Sequence, residues 1–366
     1  MDPASNMEMS TDSGLGPPKA EHFFEGVEKL LEVWFETTDS ADQQKKEHDL
    51  REILPESTWS EIIFPKVGCY IMSSKSDPHQ TSYVLSESSL FLTKNKYILK
   101  TCGTTKCLSS LELVKNIVEE KSDGRFKISQ VFYSRKNFIN FEKQDGFYAN
   151  DNFEGEYTYL DGILGGFCET KSYCLGKLSG SKWFVYQAIS NEFSKPTAIT
   201  MVPDQTLEIL MLNLDPKIMS ENFFGQKPQP KYYSNLKNLV KNTKFYDDQI
   251  FDPCGYSSNG LIDSNVQIQG YTTLHVTPEK DFSYVSFETN AEDDVEGIIE
   301  RVIDCFKPKE FTVTLVASKN SAGFEMMMKK WILDQERDDT NCQKPDLADK
   351  QYCDFGNYGV IYKHFC

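Results

Sequence analysis

Two stretches of this 366-residue chain repeat the same order of strand, helix and strand, and this repeat constrains the fold more than any other feature. Residues 97–105 and 126–133 read as strands on either side of an amphipathic helix. Residues 282–289 and 311–317 enclose a second helix, whose apolar residues recur at helical spacing. Because such helices must cover a sheet, the pattern predicts an internally duplicated α+β sandwich in which two sheets pack together.

The remaining segments are assigned from the same signals. The first helix is placed by Leu111, Val114, Ile117 and Val118 with Ser109 or Ser110 as its cap, and the second by Val295, Ile298, Ile299, Val302, Ile303 and Phe306. Strands are predicted over 21–37 (in preference to a helix), 61–72, 83–93 and 358–365, a surface loop over 39–50, and a polar, acidic loop over 334–349. We therefore expect a disordered extension over 1–20, the sandwich over 21–333, and an acidic loop with a terminal strand over 334–366.

Composition narrows the class of function. The formal net charge of −16 argues against a surface that binds nucleic acid. No run of about 18 apolar residues is present, so no membrane-spanning helix is predicted. Five scattered histidines and the absence of CxxC or HExxH leave a metal site unsupported. Ten cysteines without a spacing framework, in a chain without a visible secretory signal, predict free thiols in the cytoplasm (cytosol).

A polar block interrupts the strand-like residues 83–91. Its centre is Ser-Glu-Ser-Ser, which packing alone does not favour in a buried strand, although a serine-rich turn is the ordinary interpretation. A serine that follows a carboxylate residue can attack the preceding carbonyl when the backbone is strained and a base is near. Ser88 after Glu87 is therefore a candidate for such a reaction.

Four other places carry possible chemistry, each with a structural alternative. Cys102 lies at a strand end, where a thiol is either titratable or simply buried. Ser257 follows a turn rich in Gly, Pro and Asn. His275 lies in an alternating strand and is either structural or a general base. Asp204 and Glu208, four residues apart, are assigned to one face of a helix, either solvated or joined by a cation.

Eight segments carry a resemblance to a known family. They are Phe-Phe-Glu-Gly-Val-Glu-Lys-Leu-Leu-Glu-Val (23–33), Tyr-Val-Leu-Ser-Glu-Ser-Ser (83–89), Ile-Leu-Lys-Thr-Cys-Gly-Thr-Thr (98–105), Phe-Tyr-Ser-Arg-Lys-Asn-Phe (132–138), Pro-Asp-Gln-Thr-Leu-Glu-Ile-Leu-Met (203–211), Pro-Cys-Gly-Tyr-Ser (253–257), His-Val-Thr-Pro-Glu (275–279) and Phe-Ser-Tyr-Val-Ser-Phe-Glu-Thr-Asn (282–290). In these segments and in their order, the chain closely resembles the eukaryotic S-adenosylmethionine decarboxylase proenzymes. The resemblance spans roughly residues 21–316 and implies a four-layer αββα sandwich of two antiparallel sheets.

The resemblance also implies that the chain makes its own cofactor. Ser88 would attack the carbonyl before it, and Ser257 would stabilise the tetrahedral intermediate. His275 would remove the serine α-proton, which leaves a dehydroalanine that hydrolyses to a pyruvoyl group. Cleavage between Glu87 and Ser88 would give chains 1–87 and 88–366. The pyruvoyl carbonyl would form a Schiff base with the amine of S-adenosylmethionine and accept electrons as carbon dioxide leaves, with no metal; the product serves spermidine and spermine biosynthesis.

Further roles follow from the same resemblance. Cys102 matches the proton donor to the α-carbon, and Glu25 and Glu28 match carboxylates needed for activity and processing. In the substrate site, Phe24 and Phe251 match the pair that stacks on adenine, Glu279 matches the acceptor for the ribose hydroxyls, and Glu87 lines the site as a new C-terminus.

The resemblance also has implications for regulation and assembly. Asp204, Glu208 and Glu288 match an acidic cluster that binds putrescine as an activator. Val316 departs from the family, where an aromatic residue is expected. The processed protomers are expected to form a homodimer. Two alternatives stay open: an inactive regulatory subunit of the family, and a thiol hydrolase using Cys102 and His275.

Overall fold

The computed structural model describes residues 26–38, 48–86, 88–149, 152–193, 202–225, 227–279, 282–292, 294–333 and 345–366. Its strands are β1 (Lys29–Thr37), β2 (Ile71–Ser76), β3 (Gln80–Leu85), β4 (Ser88–Thr93), β5 (Lys96–Thr101), β6 (Phe126–Lys136), β7 (Cys168–Gly176), β8 (Lys182–Ser190), β9 (Gln205–Leu212), β10 (Thr243–Ile250), β11 (Tyr256–Ile262), β12 (Tyr271–Thr277), β13 (Tyr284–Thr289), β14 (Glu310–Ser318), β15 (Leu347–Phe355) and β16 (Tyr358–Phe365). Its α-helices are α1 (Leu50–Ile53), α2 (Glu56–Ile62), α3 (Leu111–Lys121), α4 (Glu154–Leu164), α5 (Pro216–Asn222), α6 (Pro230–Lys237), α7 (Val295–Phe306) and α8 (Ala322–Leu333).

The predicted duplication is confirmed by the topology. The strands form two eight-stranded antiparallel sheets, ordered β2-β3-β4-β5-β1-β6-β8-β7 and β10-β11-β12-β13-β9-β14-β16-β15. Each strand of the second sheet occupies the place of the strand eight numbers earlier in the first. The units β5-α3-β6 and β13-α7-β14 are the two repeats that the sequence indicates.

Alternation along the strands separates the layers of an αββα sandwich. In β1, Leu31 and Val33 face a large apolar cluster that includes Val114 and Val118 of α3. A second large cluster joins the second sheet to α7 and α8. Leu30 points the other way, into a small apolar cluster between the sheets. Much of the remaining layer between the sheets consists of buried charged and polar residues.

Four predicted elements differ in the structure. Residues 61–72 were predicted as a strand, but α2 is followed by a π-helical turn, Ile63–Val67, and β2 begins only at Ile71. The reason is that Trp59, Ile62 and Ile63 are buried at helical spacing. Residues 83–93 are two strands, β3 and β4, rather than one.

The predicted helix carrying Asp204 and Glu208 is also wrong. Asp204 precedes the strand β9, and Glu208 lies within it. A spacing of four fits one face of a strand as well as one face of a helix, so the two carboxylates still lie on one face, although each contacts a different lysine. Finally, Leu347–Phe355 forms the strand β15 rather than continuing a loop. It is a half-exposed edge strand, and its polar composition lacks the apolar pattern by which strands are recognised in a sequence.

Candidate active site

Ser88 is the first residue of β4, and its backbone is strained. It pairs with Leu85 of β3 and with Thr101 of β5, and only 2% of its surface is exposed. Its φ angle of 119° is one that residues other than glycine rarely adopt and that costs on the order of 1–3 kcal/mol. Such strain persists only where the surrounding structure holds it, which makes Ser88 a candidate for chemistry.

The Ser88 hydroxyl is held by a buried carboxylate. Its Oγ donates to Glu28 Oε1 over 2.9 Å. Glu28 lies just before β1, the neighbour of β5 in the first sheet. Burial acts to raise the pKa of Glu28, but the ammonium of Lys100 and the nearby His275 outweigh it, and the net pKa is lowered. The carboxylate is therefore ionised at neutral pH and can accept a proton.

His275 comes from the second sheet and is surrounded by hydroxyl groups. Its Nδ1 lies 2.8 Å from the Oγ of Ser257, its cross-strand neighbour on β11. Its Nε2 lies 2.9 Å from Ser89 Oγ and 2.8 Å from Thr273 Oγ1. Burial lowers the pKa of His275 to about 4, against the opposing effect of Glu28. The imidazole is therefore neutral at pH 7, with one nitrogen able to accept a proton, and its Nε2 is 4.0 Å from Glu28 Oε1.

Lys100 joins this serine and histidine pair to a buried acidic cluster. Its Nζ lies 2.6 Å from Glu288 Oε2, 3.2 Å from Glu28 Oε2 and 3.8 Å from Glu208 Oε2. Burial acts to lower the pKa of Lys100, but the three carboxylates raise it overall. The structure thus brings together Glu208 and Glu288, two of the three residues predicted to bind putrescine.

Asp204, the third predicted residue, lies in a second ion pair. Lys96 Nζ is 3.5 Å from Asp204 Oδ1 and 3.6 Å from Glu32 Oε1, and it lies 4.0 Å from the ring centre of Trp34. Tyr358 Oη donates to Asp204 Oδ2 over 3.3 Å. Five carboxyl groups therefore share two ammonium groups between the sheets.

The excess of carboxyl groups over ammonium groups is reflected in raised pKa values of two of the carboxyl groups. Burial raises the pKa of Glu208 to about 8, and that of Glu32 to about 7, although Lys100 and Lys96 respectively oppose the shift. A small cavity of about 20 Å³, room for little more than water, lies against Glu32 and Asp204. Val316, where the resemblance predicts an aromatic residue, is part of its wall.

Cys102 follows the residue of β5 that pairs with Ser88, and 8% of its surface is exposed. The next residue, Gly103, has a φ of 63°. The Gly103 carbonyl accepts hydrogen bonds from Lys29 Nζ, at 2.9 Å, and from Gln144 Nε2, at 3.3 Å. These two hydrogen bonds hold the backbone directly after Cys102, next to the paired strands β4 and β5.

The predicted substrate residues are only partly within the described structure. Phe251 lies in the turn between β10 and β11 and packs against Gly255. Glu279 follows β12, and its charge contributes to raising the pKa of Cys254 in the same turn, after the larger effect of burial. Phe251 and Glu279 thus flank one turn. Phe24, Glu25 and Glu87 lie outside the described residues.

Sequence reasoning missed several residues that the structure brings to this site. Ser89 donates to Asn259 Oδ1 over 2.7 Å as well as contacting His275. Lys100, Lys96 and Glu32 were also missed. Alternation gives a signal for some of them, because Asn259 lies two residues from Ser257, as Thr273 does from His275. No sequence signal marks the two lysines, because a buried ammonium group can be recognised only once the positions of its carboxylate partners are known.

The described residues contain no group of three or more His, Cys, Asp or Glu side chains arranged to hold a metal ion. Within the same ranges, every helix is too short or too polar to cross a membrane.

The chain is similar to several known proteins. A profile of the family described as adenosylmethionine decarboxylase matches residues 21–366. The S-adenosylmethionine decarboxylase proenzyme of Drosophila melanogaster is 39% identical over 359 residues, which covers 94% of this chain and 95% of that protein. The Xenopus laevis proenzyme is 36% identical over 351 residues, covering 94% and 96%. The crystal structure of the Trypanosoma brucei AdoMetDC-delta26 monomer aligns with a TM-score of 0.51 at 19% identity, covering 75% of this chain and 98% of that one, and supports the fold.

Proposed function

Because the chain belongs to the adenosylmethionine decarboxylase family, we propose that it cleaves itself before Ser88, converts that serine to a pyruvoyl group and decarboxylates S-adenosylmethionine. The observation that carries the proposal is the strained, buried Ser88, whose hydroxyl donates to the ionised Glu28. Nothing in strand packing requires that combination. It is what a serine needs in order to attack the peptide bond before it.

The processing steps are assigned to the chain's own side chains. As the Ser88 Oγ attacks the preceding carbonyl carbon, its proton passes to Glu28. That proton is then returned to the Ser88 nitrogen as the C–N bond breaks, which leaves an ester and a free amino group. Ser257 stabilises the tetrahedral intermediate by hydrogen bonding. The neutral His275 then takes the serine α-proton, which expels the ester carboxylate. The resulting dehydroalanine is hydrolysed to the pyruvoyl group with loss of ammonia.

In decarboxylation, the pyruvoyl carbonyl supplies the electron sink when it is present. Cys102 then acts as the proton donor to the substrate α-carbon. The hydrogen bonds from Lys29 and Gln144 to the Gly103 carbonyl support this role, because they fix the backbone next to Cys102. We assign Phe24 and Phe251 to stacking on adenine and Glu279 to the ribose hydroxyls. Glu87 lines the same site after cleavage, and Glu25 has a supporting role.

The acidic cluster of Asp204, Glu208 and Glu288 is proposed to bind putrescine. Five carboxyl groups facing two ammonium groups leave the layer short of positive charge, which a dication would supply. Lys100 contacts both Glu28 and Glu288, so a ligand at the cluster would alter the charge around Ser88. The Glu288→Gln variant should lose stimulation by putrescine; an unchanged response would remove the activator from the proposal.

Assembly and location are part of the same proposal. Chains 1–87 and 88–366 stay together as one protomer of a cytosolic enzyme for spermidine and spermine synthesis, with the sandwich over 21–333 as its decarboxylase unit. β7 and β15 are the edge strands at the same end of the two sheets, and edge strands offer backbone groups for pairing with another chain, which supports a homodimer surface there. Light scattering of the processed protein tests the dimer.

The test of the function is an intact-mass spectrum of the denatured protein beside its Ser88→Ala variant. The expected result is two chains split between Glu87 and Ser88, the larger lighter than a serine-headed chain by the mass of ammonia, and one uncut chain in the variant. A single chain in both would overturn self-processing and favour an inactive regulatory subunit. A thiol hydrolase is not favoured, because both nitrogens of His275 contact hydroxyl groups.

A further inference from the structure

Asn259 is a buried polar residue to which the proposed processing steps give no role. It lies on β11 with 1% of its surface exposed, and its side chain reaches the first sheet at two points. Its Nδ2 donates to the backbone carbonyl of Tyr83 over 3.0 Å, and its Oδ1 accepts from the Ser89 hydroxyl over 2.7 Å. Because a carbonyl only accepts hydrogen bonds, the side of the amide that faces Tyr83 must be its NH₂ group. The amide orientation is therefore fixed, and its oxygen faces Ser89.

The fixed amide decides where the hydroxyl proton of Ser89 lies. Since Asn259 Oδ1 can only accept, the Ser89 hydroxyl must donate to it. A hydroxyl group carries one proton, so Ser89 Oγ can only accept from its two other neighbours. These neighbours are Thr273 Oγ1, at 3.1 Å, and His275 Nε2, at 2.9 Å. The protons in both contacts must therefore come from Thr273 and His275.

The two tautomers of the neutral His275 satisfy these contacts unequally. With the proton on Nε2, that N–H group faces Ser89 Oγ and Thr273 Oγ1, and Ser257 donates to Nδ1. Thr273 then donates to Ser89, so every contact contains a proton. With the proton on Nδ1, Thr273 must donate to Nε2, and Ser89 Oγ faces two lone pairs at 2.9 and 3.1 Å. The Ser257 proton would then have no acceptor among the residues that the structure describes.

We propose that Asn259 is a positioning residue that sets the tautomer of His275 through Ser89, with the proton on Nε2 and the lone pair on Nδ1. If the proposed function is correct, Nδ1 is then the nitrogen that takes the serine α-proton. The electron pair of that C–H bond forms the double bond of dehydroalanine, and the Cβ–O bond breaks toward the departing carboxylate. Ser257 donates to Nδ1 in the uncut chain, so its hydroxyl must first turn away, as it does when it donates to the tetrahedral intermediate.

The first test is long-range proton–nitrogen correlation NMR of the imidazole groups in the full-length, uncut Ser88→Ala chain. The His275 signals are identified by their loss in the Ser88→Ala/His275→Gln chain. At pH 7 the expected result is a protonated Nε2 and an unprotonated Nδ1. A protonated Nδ1 would overturn the inference without any variant of Asn259. Because this measurement needs no cleavage, its result does not depend on whether the chain processes itself.

Two variants separate the acceptor role of Asn259 from its packing. Asn259→Leu keeps a side chain of similar size but accepts no hydrogen bond, so Ser89 becomes free to donate to Nε2. The tautomer ratio should shift toward a protonated Nδ1 by about 10-fold, which corresponds to one hydrogen bond. Asn259→Asp keeps an acceptor for Ser89, so at a pH where its imidazole is neutral it should keep the proton on Nε2. An unchanged ratio in Asn259→Leu, or the same shift in both variants, would overturn the inference.

The second test follows processing in chains that retain Ser88. Asn259→Leu should accumulate the ester, which hydroxylamine cleaves at Ser88. It should form the pyruvoyl-headed chain more slowly, in proportion to the fraction of His275 that still has an unprotonated Nδ1. An unchanged rate of elimination despite a shifted tautomer would overturn the role of Asn259 in processing. A chain with the expected tautomer that never cleaves, with Asn259 in place, would count against the proposed function alone.

Discussion

Glu28 and His275 are two neighbouring proton acceptors of different kinds, and the pKa of each is lowered, which leaves one ionised and the other neutral. The carboxylate is kept ionised by Lys100, and the imidazole is kept neutral by burial. A charged acceptor suits the hydroxyl that already donates to it, and a neutral one suits the carbon acid that is exposed next. The geometry therefore supports a division of roles: Glu28 acts while the ester forms, and His275 acts after it has formed.

This division of roles predicts the step of self-processing at which each variant stops. Glu28→Gln should form cleaved chains at least about 100-fold more slowly, because proton transfer to a placed base is worth that much. Its uncut chain should resist hydroxylamine, which cleaves esters but not peptides. His275→Ala should also stay uncut in neutral buffer, but it should accumulate the ester and be cut by hydroxylamine at Ser88. Denaturing electrophoresis after hydroxylamine treatment distinguishes the two.

Hydroxylamine cleavage of Glu28→Gln at the rate of His275→Ala would place Glu28 after ester formation and contradict the division. A Glu28→Asp variant is the control for charge, because it keeps a carboxylate one methylene further away. It should form the ester slowly rather than not at all.

The lowered pKa of His275 also makes a prediction about stability. An unfolded histidine takes up its proton near pH 6.5, whereas the folded one does so only near pH 4. Between those values the unfolded chain binds more protons, so the free energy of unfolding falls as pH falls, by roughly 3 kcal/mol in total from this residue. In urea titrations on the Ser88→Ala background, His275→Gln should flatten the dependence between pH 6.5 and 4. An equal slope in both chains would show that other groups control it.

At the scale of the strand, β5 supplies both of the ammonium groups that pair with the five carboxyl groups between the sheets. Lys96 and Lys100 are four residues apart, which in a strand places them on one face, the face that meets the second sheet. Opposite them, β9 and its preceding residue contribute Glu208 and Asp204. One strand therefore supplies the counter-charges for the acidic side chains of the other sheet, and the two sheets are joined by ion pairs where an apolar layer would be expected.

Removing one of these ammonium groups should be costly. Lys96→Met leaves Glu32 and Asp204 buried without their cation, and breaking a buried pair in this way costs about 3–5 kcal/mol. Urea denaturation should show that loss, and stimulation by putrescine should increase, since an added dication replaces the missing charge. Lys75→Met, on the exposed edge strand β2, is the control and should change stability by less than about 0.5 kcal/mol. Equal stability of the two variants would mean that Lys96 is not needed as a counter-ion.

Putrescine binding at this layer should release protons. At pH 7, Glu208 with a pKa of about 8 is mostly protonated and Glu32 with a pKa of about 7 is half protonated. A bound dication favours the ionised forms, so about one proton should leave on binding. Calorimetry at pH 7 in two buffers with different ionisation enthalpies measures this number, and Glu208→Gln should reduce it. The same heat in both buffers would show that the cluster is already ionised.

Much of the fold follows from local sequence, and the elements that did not follow have a common cause. The repeats β5-α3-β6 and β13-α7-β14 were predictable because each helix has one clear apolar face. Residues 61–72, the segment that carries Asp204 and Glu208, and β15 were misassigned because short or half-exposed segments fit more than one period. In those segments the contacts with the surrounding sheet, rather than the local sequence, determine the secondary structure.

The candidate site divides in the same way. Ser88, Ser257 and His275 could be found from the sequence because they lie in segments that resemble a family. The contacts that explain their chemistry could not, since Ser88 to Glu28 and Ser89 to Asn259 join residues 60 and 170 positions apart. Burial and charge pairing, which set the pKa values of Glu28 and His275, exist only once both sheets are in place.

At the scale of the molecule, the site lies where the two duplicated halves meet. Ser88 and Glu28 belong to the first sheet, and Ser257 and His275 belong to the second. Neither half contains a complete set. The proposed cleavage also divides the first sheet in an unusual place, because chain 1–87 would carry β1, β2 and β3 while chain 88–366 carries β4 and all later strands.

This division predicts that the two chains remain together after cleavage. β1 lies in the middle of the first sheet, hydrogen-bonded to β5 on one side and to β6 on the other, and β3 stays paired with β4. Leaving would expose both edges and the apolar face that contains Leu31 and Val33. Native size-exclusion chromatography of the processed protein should give one peak containing both chains, at the elution volume of uncut Ser88→Ala, and the chains should separate only in denaturant. Loss of chain 1–87 on the native column would mean that the strand order of the first sheet does not hold the cleaved enzyme together.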